Sequence, residues 1–369
     1  MLRAVKIVDV ELIQLAKDSD HPHRNAKQAR SRRVANLVRV TTDEGIDGLG
    51  EAWCDAPVAE GVVLGKLRPQ VLGADPFDVE AIWRHAYDGA AMYDPKGAYV
   101  AGLSGIDLAC WDIMGKALGQ PVHKLIGGRT RDAIPAYASD LHWLDDAAAM
   151  ARLAASFVER GFRTVKTHVG VDAEDDVRRV RAIREAIGPD VGLMVDINTG
   201  FDRPTAIRFG RRVAELDVHW YEEPLSPLDL EGLAVVRAAT GLPIATGENE
   251  YTRWGFRDLF RAGGVDVAMP DLARSGGITE MKKICAVADA FGVVVSPHNY
   301  SSGVCSAATL HVLAATPGAG PLEWDTVDAS IVDELFVEPP RVEDGHVHVP
   351  QLPGLGVHLP DAVRERYGV

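Results

Sequence analysis

Seven short apolar runs, each ending in a polar or charged group, decide the fold: TVKTH (164–168), LMVDIN (193–198), VHWYEEP (218–224), PIATGE (243–248), VDVAMPD (265–271), VVVSPH (293–298) and PLEWD (321–325). Their terminal groups keep a steady pitch. Asp196 to Glu222 is 26 residues and Glu222 to Glu248 is 26 again; Asp271 follows after 23, His298 after 27 and Glu323 after 25. That is the length of one strand, one helix and their loops. Polar residues at the C-terminal ends of successive parallel strands are the layout of a barrel active site.

Working outward, the alternation begins near 132. It predicts strands near 132–138, 163–168, 192–196, 218–222, 243–247, 265–269, 292–296 and 319–323. The helices between them fall at 144–160, 173–188, 203–215, 227–239, 252–262, 278–290 and 303–315. Eight strands with seven intervening helices make a closed α/β barrel of the (β/α)7β type, a modified TIM barrel. A doubly wound sheet is the competing arrangement, and it would gather its site at a switch point instead.

Upstream, residues 1–15 read as a strand and 34–53 as a hairpin turning at Asp43-Glu44-Gly45. Helical patterns follow over 61–70, 76–91 and 98–118, the last stopped by Gly119 and Pro121. The polar stretch 16–33 reads as a loop at the mouth of the site. Residues 1–130 thus form an α+β domain and 131–325 the barrel. The aperiodic segment 326–369 packs back on the N-terminal domain or across the barrel mouth.

With 369 residues and 47% hydrophobic content, the chain can bury a large core. A formal net charge of -14 argues against nucleic-acid binding. The four cysteines, Cys54, Cys110, Cys285 and Cys305, form no CxxC and read as thiols of a reducing compartment. The N-terminus is too short and polar for a signal peptide, and no apolar run is long enough to span a membrane. The expected location is the cytoplasm.

Asp196, Glu222 and Glu248 end three consecutive strands. Carboxylates gathered there repel one another unless a cation neutralises them, and an all-oxygen set suits Mg²⁺. Zinc would more often bring His or Cys. Lys166 and His168, two apart on one strand, point the same way and can move protons. Asp271 and His298 face each other across adjacent strand ends, so the carboxylate fixes the imidazole tautomer. Glu323 is expected to face substrate, as a hydrogen-bond donor if protonated. These parts suit removal of an α-proton beside a metal-bound carboxylate. Protonation at carbon then gives racemisation or epimerisation; loss of a β-hydroxyl gives a 2-keto acid.

The chain resembles the enolase superfamily, in its mandelate racemase and muconate-lactonising branch, over essentially its whole length. The resemblance is carried by GLGEAW (48–53), LSGIDLACWDIMGKALGQPVHKLIGG (103–128), VDIN, YEEP, GEN, PDLARSGGITE, SPHNY and LEWD. It implies an α+β capping domain, built from residues 1–130 and the C-terminal segment 326–369, over a (β/α)7β barrel, metal ligation by Asp196, Glu222 and Glu248, an Asp271–His298 dyad, and Glu323 near the substrate carboxylate. It also implies a homo-oligomer. The branch usually has Lys-x-Lys on the second strand; here it is Lys166-Thr167-His168, so either Lys166 or His168 is the base on that face.

Acid-sugar dehydration is the favoured reading, with a racemase, epimerase or cycloisomerase as the alternative. A barrel that only binds ligand is the non-enzymatic one. His21, Arg24, Asn198, Asn249, Tyr300 and Asp325 are the expected substrate contacts, because a polyhydroxylated acid needs a polar wall.

Overall fold

The computed structural model describes residues 5–326 and 330–369, without the side chains of residues 20–22 and 330. Strands β1 (Ile7–Arg24), β2 (Ala29–Thr42) and β3 (Asp47–Glu51) form an antiparallel sheet in that order. The stretch read as a loop over 16–33 is therefore the far end of a long hairpin. Lys17 pairs with Arg33 and Asp18 with Arg32; after an irregularity, His23 pairs with Arg30 and Arg24 with Ala29. Asn25 closes the turn, its side-chain oxygen accepting from the Lys27 and Gln28 amides at 2.9 Å each. Sequence periodicity misses this segment because residues 29–32 are exposed, so no buried face imposes alternation. The tip docks on the barrel through the Trp143 amide, which donates to the Arg24 carbonyl at 3.0 Å.

Behind the sheet lie helices α1 (Val79–Ala90) and α2 (Ala98–Leu118). Helix α2 is buried continuously from residue 99 to 115, as a helix apolar all round must be. It approaches β3 backbone to backbone. A Cβ on Gly48 would sit 2.1 Å from the Ala109 carbonyl oxygen, and one on Gly50 would sit 1.9 Å from that of Gly105. Neither neighbour is a side chain that can swing away. Gly50→Ala is therefore expected to destabilise the chain by about 1–3 kcal/mol or more. A lower urea midpoint at unchanged m-value would show it; an unchanged midpoint would mean the two backbones separate freely.

The barrel follows as β4 (Ala133–Leu141), β5 (Thr164–His168), β6 (Gly192–Asp196), β7 (Val218–Glu222), β8 (Ile244–Thr246), β9 (Val267–Ala268), β10 (Val294–Val295) and β11 (Leu322–Trp324). Helices α3 (Ala147–Glu159), α4 (Ala173–Ile187), α5 (Arg203–Ala214), α6 (Leu230–Thr240), α7 (Thr252–Arg261), α8 (Gly277–Phe291) and α9 (Gly303–Ala315) alternate with them. Strands β4 to β10 neighbour one another in sequence order, and β11 pairs in parallel with β4. The Gly320 amide donates to the Val295 carbonyl at 2.8 Å, which completes the ring. A doubly wound sheet would have reversed order at a switch point, and this one does not.

Tyr137, Met194, Trp220, Ala245 and Met269 fill the barrel interior below the strand ends. The C-terminal segment binds both halves. Its hairpin, β12 (Val342–Glu343) and β13 (His346–His348), pairs antiparallel with β4, while Leu335, Phe336, Leu355 and Val363 join the core of the N-terminal sheet and α2. Buried Asp112 ties the pieces together, accepting from the Leu49 amide at 3.0 Å and the Leu355 amide at 2.8 Å. No helix among the described residues is long and apolar enough to cross a membrane.

Candidate active site

The register of three strands lays out the floor. His168 pairs with Asp196, and Asp196 with Glu222, so their side chains stand side by side inside the barrel. Lys166, one inward position below His168, donates to Glu222 Oε1 at 2.8 Å and lies 2.7 Å from Glu323 Oε1. Trp220 Nε1 donates to the other Glu222 oxygen at 2.9 Å. Glu248 follows β8 past Gly247, whose φ of 130° turns the chain.

Glu223, absent from the sequence reading, adds a fourth carboxylate. At a φ of 39°, its buried side chain lines the cavity and accepts from Asn249 Nδ2 at 2.8 Å. Nothing in a Glu-Glu-Pro run says that both acids face inward.

These acids strain against one another. Burial, then the charges of Glu248 and Asp196, push Glu223 well above the usual carboxylate range. Burial pushes Glu222 up to about 8, with Lys166 opposing and Asp196 and Glu323 adding to it. Asp196 is held low despite its burial, by His168 first. A hard divalent cation would relieve this repulsion, and the oxygen-only donor set suits one. The donor atoms of Asp196, Glu222 and Glu248 do not all lie within 4.8 Å of one another; among the described residues, only those of His23, Asp140 and His142 do. Lys166 and Trp220 each hold one Glu222 oxygen.

The opposite wall carries the dyad. His298 Nδ1 lies 2.6 Å from Asp271 Oδ2, and the other Asp271 oxygen accepts from the Ala273 amide at 2.7 Å. His298 Nε2 faces Glu248 at 3.4 Å. Burial alone would lower this imidazole, but Glu248, Glu323 and Asp271 raise it to about 9. Trp53 stacks on the ring, centroids 4.8 Å apart and planes 5° from parallel. Arg274 covers the other face of Trp53 at 3.9 Å and donates to the Glu248 carbonyl at 2.7 Å. Beyond the dyad, buried Glu51 accepts from Ser302 Oγ at 2.6 Å and is pushed up to about 7, chiefly by burial. Glu51 and Trp53 both lie in the GLGEAW stretch, yet their residue types did not single them out.

On the first wall close neighbours set the charges. His168 makes contacts through both nitrogens: Nδ1 with Asp196 Oδ2 at 3.1 Å and Asn198 Oδ1 at 3.0 Å, Nε2 with the Ser139 carbonyl at 2.9 Å. Asp196 outweighs burial and raises the ring to about 9. Lys166 is raised well above its usual value, because Glu222 and Glu323 outweigh its burial. Glu323, expected to donate if protonated, is held below the usual carboxylate range: burial opposes, but Lys166 and His298 win. It accepts from Ser139 Oγ at 2.5 Å and from the Asn299 amide at 2.8 Å.

The cavity above these groups holds about 280 Å³. Lys27, Gln28 and Arg30 reach it from the hairpin tip, and the predicted contacts Asn198, Asn249 and Tyr300 line it. Two predicted contacts do not. Arg24 turns outward over Trp143, 4.1 Å from the ring, toward Asp145. Asp325 is buried in an ion pair with Arg33, a partner 292 positions away that local sequence cannot reveal. The predicted His21 side chain lies outside the described residues. A larger groove of about 450 Å³ lies elsewhere on the barrel, between α8 and α9, lined mainly by apolar groups with Lys282 and Asp289.

Residues 7–127 match the family model of the mandelate racemase / muconate lactonizing enzyme N-terminal domain, and residues 149–363 match the enolase C-terminal domain-like model. The chain belongs to the enolase superfamily. Its relatives in that superfamily include the D-galactarolactone cycloisomerase of Agrobacterium fabrum, 35% identical over 96% of this chain and 97% of that protein. The arabinonate dehydratase of Saccharolobus solfataricus is 33% identical over 89% of each. A racemase from Streptomyces coelicolor, solved with bound magnesium, superposes with a TM-score of 0.91 at 31% identity, covering 98% of this chain and 100% of that one.

Proposed function

We propose that this member of the enolase superfamily is a Mg²⁺-dependent acid-sugar dehydratase, a hydro-lyase giving a 2-keto-3-deoxy acid. The observation that carries this is the row of buried carboxylates set between an Asp–His dyad and a Lys–His pair. Asp196, Glu222 and Glu248 would hold the cation, with Glu223 beside them at the cavity. When bound, it supplies neutralisation of the charge that builds on a substrate carboxylate.

The chain's own groups do the rest. Asp271 holds His298 by Nδ1, so Nε2 is the atom that moves a proton. Lys166 and His168 stand on the other face, and Glu323 keeps Lys166 in place from below. Lys166 or His168 takes the α-proton as the Cα–H bond breaks, and His298 Nε2 gives its proton to the departing β-hydroxyl as Cβ–O breaks and water leaves. The resulting enol tautomerises to the keto acid. Hairpin-tip groups Lys27, Gln28 and Arg30 suit a polyhydroxylated anion. Among relatives, the names arabinonate, D-xylonate and L-rhamnonate dehydratase support the substrate class. The same reading makes the protein a cytoplasmic homo-oligomer, in keeping with four free cysteines.

Similarity to the D-galactarolactone cycloisomerase favours a second reading, epimerisation or cycloisomerisation through the same α-proton removal. Trapping with semicarbazide separates the two when a panel of acid sugars is tested with Mg²⁺. A semicarbazone means dehydration; deuterium uptake at C2 without one means the alternative. Neither signal from any acid sugar would count against both.

Trp53→Leu removes the ring stacked on His298. Such stacks contribute about 0.5–1.5 kcal/mol, so a fall in kcat of roughly 2- to 10-fold is expected. Steady-state kinetics checks it, and an unchanged kcat would show that Asp271 alone orients the imidazole.

A further inference from the structure

The wall beside His168 holds a second cluster that the proposed reaction does not use. His23 comes from the hairpin tip; Asp140 and His142 come from the end of β4 and the residue after it. His23 Nδ1 lies 2.9 Å from His142 Nε2, and His142 Nε2 lies 3.7 Å from Asp140 Oδ1. All three donor atoms fall within 4.8 Å of one another. A tetrahedral cation with bonds of about 2.0–2.2 Å spaces its donors about 3.3–3.6 Å apart, and the two measured separations straddle that value.

The outer contacts turn these atoms inward. Ser19 Oγ sits 2.9 Å from His23 Nε2, leaving Nδ1 for the cluster. Asp140 Oδ2 accepts from Thr326 Oγ1 at 2.8 Å, leaving Oδ1. His142 is held by its stack on His168, centroids 4.6 Å apart. Such outer partners are what fix ring orientation and tautomer at metal sites. The Tyr300 hydroxyl lies amid the three, 2.6 Å from His23 Nδ1, 2.7 Å from Asp140 Oδ1 and 3.1 Å from His142 Nε2.

The phenol gives its one hydrogen to Asp140 and its oxygen can accept from an imidazole N–H, while the two imidazole nitrogens, 2.9 Å apart, cannot both carry a hydrogen along their common line. The remaining His142 nitrogen, Nδ1, is buried without a hydrogen-bond partner.

We propose that His23, Asp140 and His142 form a second cation site, selective for a divalent transition metal of the zinc class. Tyr300 stands at the open position. Two imidazoles and one carboxylate favour such a metal, whereas the carboxylate floor favours Mg²⁺, so the two sites sort their ions by donor type. Loading it clamps the hairpin tip to the first barrel strand beside the cavity.

The test is a Co²⁺ titration of the full-length protein at saturating Mg²⁺, followed by visible ligand-field absorption and by displacement with Zn²⁺. One equivalent is expected in the parent and in Glu248→Gln, which alters only the carboxylate floor. Asp140→Asn, His142→Gln and His23→Gln should each weaken it by more than about 100-fold, beyond what loss of an outer partner does. His348→Gln, at an exposed histidine 3.9 Å from Glu343, should leave it unchanged. Thermal melting and Mg²⁺ calorimetry establish that each variant folds; His23→Gln, on the hairpin, serves if the β4 variants do not. No Co²⁺ equivalent in the parent, one lost in Glu248→Gln, or one undiminished in folded His23→Gln would overturn the proposal.

Discussion

His298→Asn lowers turnover by about 10²–10⁴-fold while leaving the fold and Mg²⁺ binding in place. That range is what a positioned acid–base group contributes. Asn fills most of the space and can still donate an amide hydrogen toward Asp271, whose other oxygen keeps the Ala273 amide. What disappears is a group that takes up and releases a proton beside Glu248. The variant's kcat, from semicarbazone formation on the acid sugar the parent turns over, and its melting temperature give the two readouts. A variant keeping more than a tenth of parental kcat would remove His298 from the chemistry.

Lys166→Met is expected to cost about 3–5 kcal/mol of stability, the loss typical of breaking a buried ion pair from one side. Lys166 is 1% exposed and sits between Glu222 and Glu323, both equally buried. Met matches its length and brings no charge, so two carboxylates are left facing each other across an apolar stem. Urea unfolding without Mg²⁺ reads the loss. Adding Glu323→Gln should recover part of it, because the double variant removes one of the stranded charges. Mg²⁺ should narrow the gap as well, by neutralising Glu222. A single variant as stable as the parent would mean that the triangle of charges carries no net energy. Its activity is expected to fall with that of His298→Asn, since Lys166 stands on the opposite face of the site.

The barrel was readable because each strand is an apolar run that ends on a polar group, and each helix spans several turns. Strands β8, β9 and β10 are only two or three residues long, yet the pitch of their terminal groups located them. What escaped depends on backbone angles or on distant partners. Glu223 enters the site through a positive φ that a Glu-Glu-Pro run does not announce. Arg33 claims Asp325 from the hairpin, and Trp53 reaches His298 from the end of β3.

Asp140 and His142 are the instructive case. They are two apart at a strand end, the same signal that picked out Lys166 and His168. Placing the first barrel strand at 132–138 cut it short; the ladder runs on to Leu141. The polar hairpin tip was missed for a related reason, since it pairs by backbone and buries too little to alternate.

Calorimetric titration of Mg²⁺ into the full-length protein tests the central claim most directly, and it needs no substrate. One site per chain is predicted, abolished by Asp196→Asn and unaffected by His142→Gln. Absence of binding heat in the parent, or an undiminished site in Asp196→Asn, would contradict it.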